Sequence, residues 1–204
     1  MQYTLNTKNP VAIKSLEYTH PEPYKNIPDK STNLGFIEKL GEHRWGLLDL
    51  GCGGGKFVKD CNDNGIPAVG VEGSPHYFNY KWSEWATVPD KLFLCDITRP
   101  FKFNVKFGYV TAWEVMEHIP EESLETLFDN VKDNCCGSFV VSVSNKDCPS
   151  KDGKVDYHVT KKDKDWWIKR FEDSGFIRNH EEEELFEGSW VRNERSSFHL
   201  VWTL

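Results

Sequence analysis

One stretch constrains this chain more than any other: Gly46-Leu47-Leu48-Asp49-Leu50-Gly51-Cys52-Gly53-Gly54-Gly55. Leu47 to Leu50 is a short apolar run, the length of a buried strand rather than of a helix. Glycines then end it abruptly. They permit positive φ and let a ligand lie against bare backbone, because no Cβ stands in the way. Lys56-Phe57-Val58-Lys59-Asp60-Cys61 follows with helical spacing. Strand, glycine turn and helix together predict the nucleoside or dinucleotide crevice of a doubly wound α/β sheet.

Three ligand classes use such a turn, and the spacing separates them. A phosphate-binding P-loop places four residues between its glycines, then Lys and Ser or Thr. Here Gly51 and Gly55 enclose three residues, and Lys56 is followed by Phe57, which offers magnesium no hydroxyl. A nicotinamide fingerprint needs a third glycine where Lys56 stands. Ile66 to Val71 reads as a second strand with Glu72 at its end, where an acid can accept both ribose hydroxyls of an adenosine. Asp49-Leu50-Gly51-Cys52-Gly53-Gly54-Gly55 closely resembles motif I of class I S-adenosylmethionine (SAM)-dependent methyltransferases. The resemblance implies one Rossmann-like α/β domain over residues 31–204. Its sheet would have seven strands, mostly parallel with an antiparallel last strand, and helices on both faces. It also implies SAM as cofactor, held by Asp49, Gly51, Cys52, Gly53, Glu72 and Gly73.

The rest of the chain is read in that frame. Residues 1–30 are polar, and Pro21, Pro23 and Pro28 bar regular structure there. They form an arm, either mobile or a lid in which Tyr18, His20 and Tyr24 cover the pocket. Ser31-Thr32-Asn33 offers a helix cap, Leu34, Ile37 and Leu40 one buried face, and Gly41 the stop. Ser74 and Pro75 open another helix, whose Tyr77, Phe78, Trp82 and Trp85 are expected mostly in the core. Leu92 to Cys95 is the third strand. The resemblance puts Asp96 and Ile97 against the adenine, with a loop cap as the alternative for Asp96. Residues 98–105 are too few for a crossover helix and are expected as a loop. Phe107 to Ala112 and Ser138 to Ser144 are the fourth and fifth strands, and Asp163 to Phe171 is a helix whose Trp166 and Trp167 are expected to pack on the sheet, with stacking on a flat substrate as the alternative. Phe176-Ile177 begins the sixth strand, Glu181 to Glu184 is a solvated charge run, and Phe198 to Leu204 is the last strand.

Trp113-Glu114-Val115-Met116-Glu117-His118-Ile119-Pro120 is a second match to the methyltransferases. It implies Trp113 against the cofactor, with Glu114 and the adjoining backbone close to the ammonium group; core packing is the alternative for Trp113. Glu114, Glu117 and His118 form an E-x-x-E-H pattern that shares one face of a helical turn. The pattern resembles small-RNA 2′-O-methyltransferases and some quinone-pathway O-methyltransferases, which implies a divalent metal, with His158 as a further ligand in the RNA case. The same residues occur in methyltransferases that bind no metal, where they begin a helix and face the substrate. The favoured reading has no metal and takes His118 or His158 as the base, because imidazole titrates near working pH. A surface histidine is the alternative for His158.

Thr111-Ala112-Trp113-Glu114 is unlike the Asn/Asp-Pro-Pro-Tyr segment of many nitrogen methylators, which favours a hydroxyl on a small molecule or sugar. Lys and Arg number 25 and Asp and Glu 32, a net charge of −7. That balance disfavours a nucleic-acid partner. Metal-assisted RNA 2′-O-methylation and non-catalytic SAM binding are the alternative functions. Six cysteines without a C-x-x-C pair point to a reducing compartment and no zinc. With no apolar leader and no apolar run of about eighteen residues, a soluble cytoplasmic protein is expected. The sequence leaves the acceptor and the oligomeric state open.

Overall fold

Short, nearly all-apolar strands need cover on both faces, and this chain supplies it by alternating them with helices. The computed structural model describes residues 2–20, 33–40, 45–189 and 197–204. β1 (Leu5–Thr7), α1 (Leu16–Thr19) and α2 (Leu34–Leu40) come first, then β2 (Leu47–Leu50), α3 (Lys56–Asp63) and β3 (Ala68–Glu72). α4 (Pro75–Tyr80), β4 (Leu92–Leu94), β5 (Phe101–Phe103) and β6 (Phe107–Trp113) follow. The chain closes with α5 (Leu124–Asn134), β7 (Cys135–Ser144), α6 (Lys164–Asp173), β8 (Ile177–Arg178), α7 (His180–Phe186) and β9 (Ser197–Thr203).

Seven strands form one sheet in the order β4-β3-β2-β6-β7-β9-β8. β9 runs antiparallel to both its neighbours, while β4, β3, β2, β6 and β7 are parallel, as expected. Strand order reverses between β2 and β6, and a crevice opens at their carboxyl ends. The pleat sorts the core into two faces. Leu48, Leu50, Val110 and Val141 pack with Phe128, Phe171 and Trp202. Leu47, Tyr109, Val140 and Val201 pack with Phe36, Phe57 and Phe186 on the other side. Trp167 is fully buried in the first of these layers. Among the described residues no helix is long and apolar enough to cross a membrane.

Four expectations need correction. Residues 98–105 are not merely a loop: β5 pairs antiparallel with β1, Leu5 opposite Phe103 and Thr7 opposite Phe101. Phe101 and Phe103 are buried and Lys102 between them is exposed, the alternation of a half-covered strand. The partner lies almost a hundred residues away, so no local pattern announced it. The aromatic stretch at α4 is largely outside the core. Only Trp85 is buried there, its indole donating to the Gly53 carbonyl at 2.8 Å, while Phe78 is 54% exposed. Leu34 is exposed too, and Phe36 takes its place on the buried face of α2. Finally, the acidic run belongs to α7, where Glu183 pairs with Arg178 and Glu182 accepts from the Tyr109 hydroxyl at 2.9 Å. The expected cap at Ser31-Thr32 and the stop at Gly41 lie outside the described residues.

Two buried asparagines one turn apart on α5 take over the work of the missing crossover helix. Asn130 accepts from the Phe101 amide at 3.1 Å and donates to the carbonyls of Ile97 and Arg99, each at 2.9 Å. Asn134 accepts from the Phe103 amide at 2.8 Å. Asn130→Ala strands one amide and two carbonyls in a buried setting. We expect it to lower unfolding free energy by about 2–4 kcal/mol in urea denaturation, with Tm falling by about 5–10 °C. A loss under about 0.5 kcal/mol would show that water replaces the carboxamide without cost.

Candidate active site

A cavity of about 590 Å³ sits at the carboxyl ends of the parallel strands. One end is built by the turns after β2, β3 and β4. Gly51 leaves β2 at φ 65, and a Cβ there would come within 2.6 Å of a Val115 methyl, so the turn requires glycine. Glu72, at the end of β3, is half-buried, and its two oxygens accept the Gly53 amide at 3.0 Å and the Ser74 amide at 2.8 Å. Burial pushes the Glu72 carboxyl up and these two amides pull it back, leaving it raised. Gly51, Glu72, Gly73, Asp96 and Ile97 all line the cavity. Asp96 also caps its own loop, one oxygen accepting the Thr98 amide at 3.0 Å and the Thr98 hydroxyl at 2.6 Å.

Other expected residues lie behind this wall. Asp49 is buried and accepts the Thr111 hydroxyl at 2.7 Å, tying β2 to β6 beneath the turn. Cys52 donates its amide to the Val71 carbonyl at 3.0 Å and packs its thiol under Gly70. Trp113 was expected at the cofactor, and here the structure differs. Its indole meets Phe36 edge-on at 5.1 Å and Phe57 at 5.6 Å, on the α2 and α3 face of the sheet. The pleat is the reason: Tyr109, Thr111 and Trp113 share one face of β6, so the ring follows its strand rather than the cavity.

At the other end the chain makes a strained exit from β6. Glu114 has φ 55, a left-handed conformation that costs a non-glycine residue about 1–3 kcal/mol. Ser142 on β7 holds it, accepting the Glu114 amide at its hydroxyl (2.9 Å) and its carbonyl (3.1 Å). Glu114 lines the cavity, and its carboxylate accepts from the Ser197 hydroxyl at 2.8 Å. Glu114 therefore precedes the helical turn over Met116–His118 instead of sharing its face.

Within that turn Glu117 is fully buried. One of its oxygens accepts the Ser144 amide at 2.9 Å, and the other has no hydrogen-bond partner among the described residues. Burial, then the neighbouring Glu114 charge, pushes the Glu117 carboxyl up to about 7. His118 lines the cavity, and its Nδ1 lies 2.6 Å from Glu17 Oε1. Burial pulls the His118 imidazole down, but the Glu17 hydrogen bond and the charges of Glu17 and Glu117 outweigh it, and the group ends raised. His158 is not a surface residue. It stands behind His118 with the ring centroids 4.6 Å apart and edge-on, its Nδ1 2.6 Å from the Lys146 carbonyl. Burial pushes the His158 imidazole down. One carboxylate oxygen of Glu117 and one ring nitrogen each of His118 and His158 lie within 4.8 Å of one another. The expectation of no metal ligands therefore meets a donor set that could hold a cation.

Glu17 was missed. Its neighbours Tyr18 and His20 are the expected lid residues, but Tyr18 is exposed and His20 contributes its carbonyl, which accepts the Tyr157 hydroxyl at 2.7 Å. Tyr24 lies outside the described residues. The local signal was Ser15, whose hydroxyl accepts the Tyr18 amide at 3.2 Å and starts α1 one position before Glu17.

A methyltransferase-domain family profile matches residues 25–188. No curated protein sequence matches the chain. Among solved structures, the glycopeptide N-methyltransferase MtfA complexed with S-adenosylhomocysteine (SAH) superposes with a TM-score of 0.63 at 12% identity, covering 89% of this chain and 94% of that one. The PH0226 protein of Pyrococcus horikoshii gives 0.61 at 18% identity, covering 97% and 95%. An S-adenosylmethionine-dependent methyltransferase of Clostridium acetobutylicum gives 0.59 at 15%, covering 84% and 90%. At these identities the likeness is one of fold.

The buried Glu117 makes a pH prediction. Unfolded, a Glu carboxyl titrates near about 4.3; folded, this one keeps its proton up to about 7. Between those values the native state binds more protons, so its contribution to stability falls as pH rises and stays low above 7. Glu117→Gln is neutral throughout. Relative to wild type it should gain on the order of 3 kcal/mol between about pH 4 and pH 8 in urea denaturation. An unchanged difference between the two pH values would mean that another group carries the slope.

Proposed function

The chain belongs to the methyltransferase-domain family, and on that premise we propose that it transfers the methyl group of SAM to a hydroxyl acceptor, a small molecule or a sugar. One observation carries the reading: Gly51, Glu72, Gly73, Asp96 and Ile97 line the same cavity as Glu114 and His118. The cofactor supplies an already activated methyl group, so the protein has mainly to align the reactants and remove one proton. Glu72 is the acceptor for ribose hydroxyls, Asp96 and the Ile97 amide serve the adenine, and the bare backbone at Gly51 and Gly53 gives close approach. Asp49 and Cys52 act from beneath, by shaping the turn. His118 takes the proton of the acceptor hydroxyl, with His158 as the second imidazole behind it. Residues 1–30 act as a lid, a role favoured by the bonds of residues 9–20 to the cavity rim. Six free thiols suit a reducing cytoplasm, and the charge of −7 still counts against a polyanionic acceptor.

A second reading is favoured by the donor set of Glu117, His118 and His158 and by the Glu117 oxygen that has no hydrogen-bond partner among the described residues. Carboxylate plus imidazole suits magnesium, manganese or ferrous iron. Such an ion would orient the acceptor hydroxyl, as in metal-assisted 2′-O-methylation of RNA.

Calorimetric titration with SAH tests the cofactor. About micromolar binding is expected in wild type and at least about tenfold weaker binding in Glu72→Ala. Transfer from labelled SAM to a panel of hydroxyl and amine acceptors tests the reaction, and His118→Ala should lower turnover by about 100-fold or more with SAH affinity kept. Turnover that survives EDTA supports the base reading; turnover lost to EDTA and restored by manganese supports the second. Tight SAH binding with no transfer to any acceptor would make the chain a cofactor-binding protein instead.

A further inference from the structure

The arm reaches the acceptor end of the cavity from more than a hundred positions away in sequence. Beyond the pairing of β1 with β5, bonds to the cavity rim and to Tyr157 seat it. Asn9 accepts the Asp96 amide at its carbonyl and Ala12 donates its amide to the Gly73 carbonyl, both at 2.9 Å. At the far end the His20 carbonyl accepts the Tyr157 hydroxyl at 2.7 Å. Between these anchors Ser15 caps α1, and Glu17 sets its carboxylate 2.6 Å from His118 Nδ1.

That contact selects a tautomer. A carboxylate only accepts, so the hydrogen between the two atoms belongs to Nδ1. The neutral ring is then left with its lone pair on Nε2, and a base or a metal ligand needs such a lone pair. His158 is held in the same way, its Nδ1 2.6 Å from the Lys146 carbonyl. Its neighbour Tyr157 is the residue that grips the end of the arm. A carboxylate or carbonyl behind a working imidazole fixes both its orientation and its free nitrogen.

We propose that Glu17 is the positioning residue of His118: seating of the arm and selection of the His118 tautomer with a free Nε2 are one event, so the acceptor end is complete only when the arm is docked. The inference rests on the methyl-transfer reading for its effect on turnover, whereas the tautomer itself can be read without it.

The experiment uses full-length protein labelled with ¹⁵N at histidine, compared with Glu17→Ala and Glu17→Gln, with the His118 signal assigned by its loss in His118→Ala. At about pH 9, where an imidazole is neutral, long-range ¹H–¹⁵N spectra should show wild-type His118 protonated at Nδ1. Glu17→Ala should move it toward the Nε2–H form. Glu17→Gln, whose side-chain carbonyl can accept the same hydrogen, should restore the wild-type form at least in part. In turnover with labelled SAM, Glu17→Ala should lose about 10- to 100-fold in kcat, Glu17→Gln should recover most of it, and SAH affinity should stay within about threefold in both. A wild-type ring protonated at Nε2, or a tautomer indifferent to Glu17→Ala, overturns the proposal. So does a fall in SAH affinity as large as the fall in kcat, which would make the arm a cofactor cover only. A tautomer that follows Glu17 in a protein that methylates nothing supports the positioning role and removes the methyl-transfer reading.

Discussion

Gly51 leaves β2 in the left-handed region with Val115 packed where a Cβ would stand. The whole crevice depends on that contact, because it joins the exits of β2 and β6. From this joint the sheet runs to β3 and β4 on one side and to β6 and β7 on the other, so the loops diverge and a cleft is left between them. Asp49 and Thr111 fasten the same two strands just below. Any side chain at position 51 would push the segment from Glu114 to His118 away from Glu72, and the two ends of the cavity would lose their relation.

The cavity end from Glu114 to His118 is costly to fold. Glu114 is held at positive φ, and Glu117 is buried with one oxygen lacking a hydrogen-bond partner among the described residues. Each feature raises the free energy of the native state, and neither serves the packing of the core. What holds them is β7: the Ser142 hydroxyl accepts the Glu114 amide, and the Ser144 amide donates to a Glu117 oxygen. Unfavourable groups gathered at one cavity wall and braced from a neighbouring strand are how a fold stores chemistry rather than stability.

Much of this was legible because its causes are local. The apolar run Leu47–Leu50, the glycines after it and the helical spacing from Lys56 fall within about seventeen residues, where periodicity and backbone freedom decide. The same holds for Pro75 opening α4 and for the helix over Asp163 to Phe171 that becomes α6. Failures came where a distant element decides. The aromatic residues around α4 look like core to any hydrophobicity argument, but with Trp85 already filling the space over Gly53, Phe78 is left in solvent. Trp113 looks like a ligand platform until the pleat of β6 assigns it to the α2 face.

The sequence by itself determined the α/β architecture, the crevice and the acid at each strand end, since turn chemistry and short-range periodicity are properties of neighbouring residues. Tertiary structure alone decided which imidazole lines the cavity, which stands behind it and what carboxylate backs it. Glu17, His118 and His158 are separated by long stretches of chain and meet within a few ångströms only after the arm, the β6 exit and the loop beyond β7 have packed together. No pattern along the chain encodes that meeting, because the contacts are fixed by packing in three dimensions, where separation in sequence has no bearing on distance.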